Sequence, residues 1–353
     1  MKRILLIVLS ILLMCPGMAG AEMPLVYPAE TVISVVPLTR VQSALVSWLY
    51  GPVLEGQARI ELPEGTRYDD VAPAMKVLML DYPELFHLDR SYTVSYYQDE
   101  PETAIAVTPE YRMDAAHAEK VRAQMYASAL EMIWQDRTAL GLHDALVARV
   151  HYGGETEMRH TAAAALLTGE ATCEGYAQAL SLVYRMAGIP CGMISGTAVN
   201  AEGRTENHAW NIAWLGGCTL IDATWNDQER SGYNTHWYFG LSGEQMAADH
   251  AVDSDLLVPL CGDQAGWHRQ NGAVALTSGQ VMQAVQRLAV EGTAVNLRIP
   301  DAALYQWITS DIGVLLDEYN TICPEGCGFY GSYVYLTCDT QQCLIIDRAE
   351  TAQ

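Results

Sequence analysis

Three residues in the middle of this chain have the types needed for acyl transfer: Cys173, His208 and Asp222. A thiolate, not a thiol, is the nucleophile, and the partial positive charge at a helix N-terminus favours it. Thr172 is a helix-capping residue type, and the run that follows predicts a helix beginning at Cys173. His208 stands in Asn207-His208-Ala209-Trp210-Asn211, at the start of a predicted strand. An imidazole there can take the thiol proton and later return it to a leaving group. Asp222 lies in Leu220-Ile221-Asp222-Ala223-Thr224-Trp225, read as a strand. A carboxylate in such apolar company costs on the order of several kcal/mol if buried alone, so it needs a partner. Singly, each has a plainer reading: a small buried thiol, a packed or surface ring, an acid at a sheet edge. The three together, as nucleophile, base and orienter, make a thiol acyl-transfer triad.

The elements around them must bring distant positions together. Tyr176, Leu180, Val183, Tyr184 and Ala187 recur at helical spacing behind Cys173, and Gly188-Ile189-Pro190 ends that helix. Strands are predicted at Cys191 to Val199, His208 to Trp214 and Cys218 to Thr224, with Gly216-Gly217 as the last turn. His208 and Asp222 point the same way only if that turn is odd-numbered or bulged, because strand side chains alternate faces. One helix followed by antiparallel strands is an α+β pattern. Upstream, helices are predicted at Leu38 to Leu49, Val71 to Met79, Ala115 to Trp134 and Thr138 to Val150, with strands at Ser91 to Tyr97 and Thr103 to Thr108. Downstream, Gly262 to Gly272 reads as loop. Ser278 to Ala289 and part of Ala302 to Tyr319 read as helix, and Tyr333 to Thr337 and Cys343 to Ile346 as strands.

Several stretches resemble the transglutaminase-like superfamily, in particular its bacterial members. They are Gly169-Glu170-Ala171-Thr172-Cys173-Glu174-Gly175-Tyr176-Ala177, Gly188-Ile189-Pro190, His208-Ala209-Trp210-Asn211 and Asp222-Ala223-Thr224-Trp225. Tyr238-Phe239, Asp249-His250, His143-Asp144 and Asp81-Tyr82-Pro83-Glu84-Leu85-Phe86 fit the same resemblance, which spans about residues 65 to 250 and is densest from 140 to 250. Asn226-Asp227-Gln228 departs from it, where an acidic pair and a proline are common. The resemblance implies a papain-like α+β core, with the Cys-bearing helix packed on the antiparallel sheet that carries His and Asp. It implies a Cys-His-Asp triad at Cys173, His208 and Asp222. The expected reaction is attack on a peptide or glutamine amide through a thioester, ending in hydrolysis or amine transfer. The backbone N–H of Cys173 and the side chain of Tyr152 are candidate oxyanion donors. Trp210 and Trp225 are candidates to shield the site or line its groove, with core packing as their other reading. A non-catalytic cell-surface or protein-binding module on the same fold is the competing expectation.

The organisation expected is a signal peptide at 1–21, a helical N-terminal α+β region at 22–136, the transglutaminase-like core at 137–252 and a small cysteine-containing region at 253–353. Met1-Lys2-Arg3, the apolar run Ile4 to Met14 and Ala19-Gly20-Ala21 have the form of a cleavable export signal. With it removed, 18 basic and 42 acidic residues leave a net charge of −24, against −22 for the whole chain. That surface repels nucleic acid and anionic lipid. The resemblance implies a protein or peptide substrate, and the signal implies a secreted or cell-envelope setting. Of nine cysteines, Cys323, Cys327, Cys338 and Cys343 cluster near the C-terminus. Export favours disulfides among them, with a zinc site as the other reading. Cys191, Cys218 and Cys261 are unassigned. No H-E-x-x-H or paired C-x-x-C occurs, so no metal and no cofactor is expected, and His143, His151 and His160 read as surface or packing residues.

Overall fold

The helix that begins at Cys173 is buried on all sides. In the computed structural model, which describes residues 26–228 and 233–349, it runs from Cys173 to Met186, with Gly175 through Arg185 all buried. The spacing of Tyr176, Leu180, Val183 and Tyr184 predicts one apolar face. The intervening Ala177, Ala179, Ser181 and Leu182 are small or apolar enough to be enclosed as well, which makes this a central helix rather than a surface one. The proposed signal residues lie outside the described part of the chain.

Two compact units are present. The first comprises residues 26–197, 207–214 and 252–259. Its helices are α1 (Arg40–Leu54), α2 (Tyr68–Asp81), α3 (Ala115–Gln135), α4 (Ala139–Val147), α5 (Ala162–Leu167) and α6 (Cys173–Met186). Strands β1 (Leu88–Tyr97) and β2 (Glu100–Tyr111) form an antiparallel pair, and β3 (Cys191–Val199) and β4 (Thr205–Trp214) are neighbours in a sheet. Each predicted upstream helix and strand is present with shifted ends: α1 starts at Arg40 and runs on to Leu54, α4 is shorter than predicted, and the others are longer by a few residues.

Polar side chains anchor α6 at several points. Asn211 Nδ2 on β4 donates to Ala177 O at 2.8 Å, Ser181 Oγ at 2.9 Å and Gly192 O at 3.1 Å. Tyr176 and Tyr184 hydroxyls donate to Val150 O and Ala139 O, each at 2.7 Å. Arg185 Nε donates to Cys191 O at 2.8 Å, and its Nη1 to Asp81 O. Ala177, Met193 and Ala209 make an apolar contact between α6, β3 and β4. Gly175 lets the start of α6 approach the chain before it. A Cβ there would lie 2.6 Å from Arg159 O and 2.8 Å from the Ala171 side chain, closer than any side chain tolerates.

The second unit comprises residues 198–206, 215–251 and 260–349, less the four undescribed positions 229–232. Its strands are β5 (Cys218–Ile221), β6 (Phe239–Leu241), β7 (Val295–Arg298), β8 (Tyr333–Cys338) and β9 (Cys343–Arg348). Its helices are α7 (Ala223–Asn226), α8 (Ser278–Glu291), α9 (Ala302–Thr309) and α10 (Ile312–Ile322). Strand β6 pairs antiparallel with β5. The terminal sheet has the order β7-β9-β8 and buries Val281, Val285, Leu288, Ile308, Leu316 and Ile346 against α8, α9 and α10. The turn before β5 is closed by Leu215 N–H on Gly217 O, bracketing the single residue Gly216 at φ +76°. That is an odd-numbered turn.

Three expectations are corrected. The strand predicted over Cys218 to Thr224 ends at Ile221, because Asp222 caps a one-turn helix instead of continuing the ladder. The predicted loop Gly262 to Gly272 contains a turn of helix, Trp267–Gln270. The four C-terminal cysteines are free thiols, and the disulfide among the described residues joins Cys218 and Cys261. Individual contacts account for three of those thiols: Cys323 Sγ approaches Asn320 O at 3.6 Å, Cys338 Sγ the Tyr238 hydroxyl at 3.6 Å, and Cys343 Sγ Gln341 O at 3.3 Å.

His268 in the second unit supplies a test of burial. Enclosure foremost, with Arg298 and His236 adding to it, depresses its pKa to about 3, against a weaker opposing bond to Asn296 Oδ1 at 3.0 Å. The folded state therefore prefers the neutral ring. Its contribution is complete above the unfolded pKa near 6.5 and is lost as pH falls toward 3. The stability advantage of the native protein over His268→Gln should shrink by about 1.4 kcal/mol per pH unit below 6.5. Denaturant melts across pH 7 to 4 measure it, and a constant difference would show that burial does not hold the ring neutral.

Candidate active site

Cys173 is the first residue of α6 and half-buried. Thr172 occupies the N-cap position with extended backbone, but its hydroxyl does not cap the helix as its type predicts. It is turned instead to His160 Nδ1 at 2.9 Å, while Thr172 N–H donates to Arg159 O at 2.9 Å. The first-turn N–H groups of α6 thus receive no bond from the cap side chain, and their positive potential is directed at Cys173 and whatever lies over it. Burial pushes Cys191 up to about 11 and Cys343 up to about 12, which makes both poor nucleophiles.

Cys173 and His208 line one cavity of about 660 Å³, wholly within the first unit. Leu80, Leu85, Phe86, Leu88 and Met193 supply apolar lining, and Arg90, Tyr152, His160, Glu174 and Asn207 polar lining. The volume accommodates a small-ligand-sized group such as a peptide side chain with its flanking amide. His208 is buried on β4, its ring stacked on Trp210 with centroids 6.2 Å apart and planes 22° from parallel. Trp210 is itself buried and does not line the cavity. Tyr152 does line it, 58% exposed, on a short parallel pairing with Ala171 two residues before the thiol.

Three cavity residues escape a reading of sequence alone. Glu174, next to the nucleophile, forms an ion pair with Arg90 from β1, and His160 Nδ1 lies 3.8 Å from the same carboxylate. Burial raises the Glu174 pKa, and Arg90 and Arg112 oppose that rise. Burial chiefly, then Arg90 and Arg159, lowers that of His160. His160 is therefore part of the cavity wall rather than a packing residue. Nothing in its flanking residues signals this, because the contact is made to Thr172, 12 positions away.

Asp222 and Trp225 belong to the second unit. Asp222 is fully buried at the end of β5. Its Oδ1 accepts from Thr224 N–H at 2.9 Å and Trp225 N–H at 3.1 Å, capping α7. Its Oδ2 lies 3.1 Å from His250 Nε2. The partner a buried carboxylate requires is thus present. The Trp225 ring packs on His250, with centroids 4.5 Å apart, and edge-on to Tyr238.

The described residues thus combine an α+β fold with a cysteine at a helix start and a histidine in the same cavity. Residues 119–228, a segment that includes Cys173, His208 and Asp222, match the model of the transglutaminase-like superfamily. None of the curated protein sequences matches the chain. Among solved structures, a candidate cysteine protease from Cytophaga hutchinsonii is 12% identical, over 38% of this chain and 61% of that one, with a TM-score of 0.24. The periplasmic domain of TgpA from Pseudomonas aeruginosa, bound to ethylmercury, is 17% identical over 40% and 68%, with a TM-score of 0.25. A TGase is 12% identical over 47% and 48%, with a TM-score of 0.26. The chain thus spans less than two thirds of the first and third of these.

Proposed function

We propose that this chain is an exported thiol enzyme that opens amide bonds in proteins or peptides, with Cys173 as nucleophile, His208 as base and acid, and Asp222 as orienter. The observation that carries the reading is the placement of Cys173 at the first position of α6 in the cavity it shares with His208. In the first step the Cys173 thiol gives its proton to the His208 imidazole, and its sulfur bonds to the amide carbon. The carbonyl oxygen becomes an oxyanion, for which the Cys173 N–H and the Tyr152 hydroxyl are the candidate donors. His208 then gives the proton to the departing amine, and the C–N bond breaks to leave a thioester. Water, deprotonated by His208, attacks that thioester and releases the acid and the free thiol. Hydrolysis is favoured over amine transfer because the sequence carries no calcium-loop pattern like that of the animal cross-linking enzymes.

Two features support export. The first 21 residues have the composition of a signal, and Cys218 and Cys261 are disulfide-bonded, as is usual outside reducing compartments. No helix among the described residues is long and apolar enough to cross a membrane. The test is incubation of the purified protein with a peptide library, with and without methylamine, read by mass spectrometry. Cleaved peptides in both arms are expected. Amine adducts in place of acids would make the enzyme a transferase. No product in either arm, with no preferential alkylation at Cys173, would favour a binding module on this fold.

A further inference from the structure

The acid proposed for the triad is itself gripped by a second histidine. His250 is inaccessible to solvent, and both its ring nitrogens face carboxylates: Nε2 lies 3.1 Å from Asp222 Oδ2 and Nδ1 2.6 Å from Asp249 Oδ1. Carboxylate oxygens only accept, so a ring donating to both is an imidazolium. Burial by itself would lower the His250 pKa, but the bonds to Asp222 and Asp249 outweigh it and the pKa is raised.

Asp249 is held in turn. Its Oδ2 accepts from the Tyr238 hydroxyl at 2.6 Å and faces Gln341 Nε2 at 3.5 Å. Gln341, in the hairpin between β8 and β9, also donates to Gln245 O at 3.0 Å and accepts from Arg298 Nη2 at 3.1 Å. The terminal carboxylate torsion of an aspartate is soft. Here two N–H groups hold one oxygen of Asp222 and His250 holds the other, which leaves the carboxylate a single orientation.

We infer that His250 is a positioning residue for Asp222, and that Asp249, Tyr238 and the C-terminal hairpin through Gln341 hold it in place. The inference rests on the proposed triad, and it gives the cysteine-rich C-terminal region a part in the chemistry. It is tested by the rate at which iodoacetamide alkylates Cys173 at neutral pH, located by peptide mass analysis, with melting temperatures alongside. His250→Leu should slow alkylation by about 10- to 100-fold, by analogy with loss of the outer partners that orient metal-binding side chains. His250→Gln keeps an N–H that can reach Asp222 and should recover most of the rate, although it melts like the leucine variant. Where His250→Leu does not fold, Tyr238→Phe, which deletes only the hydroxyl, is read in its place. A slowed rate supports the inference and an unchanged one overturns it. Equal slowing in the leucine and glutamine variants, tracking lost stability, would also overturn it. Wild-type rates in His250→Leu with a slowed Asp222→Asn would sink the positioning role and leave the triad standing. Wild-type rates in both would remove the acid's role as well.

Discussion

Cys173→Ala is expected to abolish turnover and leave the fold intact. The variant deletes the sulfur proposed to form the thioester, so the loss should be on the order of 10⁴-fold or more, down to what the emptied cavity achieves by binding. The stability change should be small, under about 1 kcal/mol. The residue is half-buried, one sulfur is removed, and alanine is the best helix former. The anchors of α6 all lie elsewhere, at Tyr176, Tyr184, Arg185 and Asn211. The measurement is kcat on a peptide identified from the library, with a thermal melt. Cys191→Ala is the matching control. Its thiol is fully buried, so that variant should lose stability and keep activity. Retained turnover in Cys173→Ala would end the enzymatic reading.

Asp222→Asn should cost on the order of 10³- to 10⁴-fold in kcat, less than loss of the thiol itself, as orienting carboxylates do in such triads. Asparagine is as good an N-cap as aspartate, so the bonds from Thr224 and Trp225 N–H can persist and α7 should survive. What disappears is the negative charge that stabilises an imidazolium. Asp222→Ala separates the two contributions, because it also loses the cap, worth about 1 kcal/mol. The melting temperature should thus fall further in the alanine variant while kcat stays near that of Asp222→Asn. Near-normal kcat in Asp222→Asn would remove this residue from the triad.

Local signals were enough to place most elements. The helix from Cys173 and its stop at Gly188 follow from a capping residue type, apolar spacing and a Gly-Ile-Pro break, all within about 20 residues. The strand from Cys191 to Val199 follows from a short, largely apolar run after the Gly-Ile-Pro break. Signals that depend on a partner misled. Thr172 has the right type for a cap, but its hydroxyl found His160. Asp222 looked like part of a strand because its capping role depends on a chain reversal that no neighbouring residue announces. Export and the clustering of four cysteines suggested bridges near the C-terminus, whereas the bond among the described residues joins Cys218 and Cys261, 43 positions apart.

By itself, the sequence determined the chemical types available, their order along the chain and the α+β class, because side-chain chemistry and short-range periodicity are local properties. Only the tertiary structure decided which polar groups answer one another: Arg90 on Glu174, His160 on Thr172, and His250 between Asp222 and Asp249. Burial makes an unanswered charge expensive, and the group that answers it is chosen by proximity in space, which sequence separation does not encode.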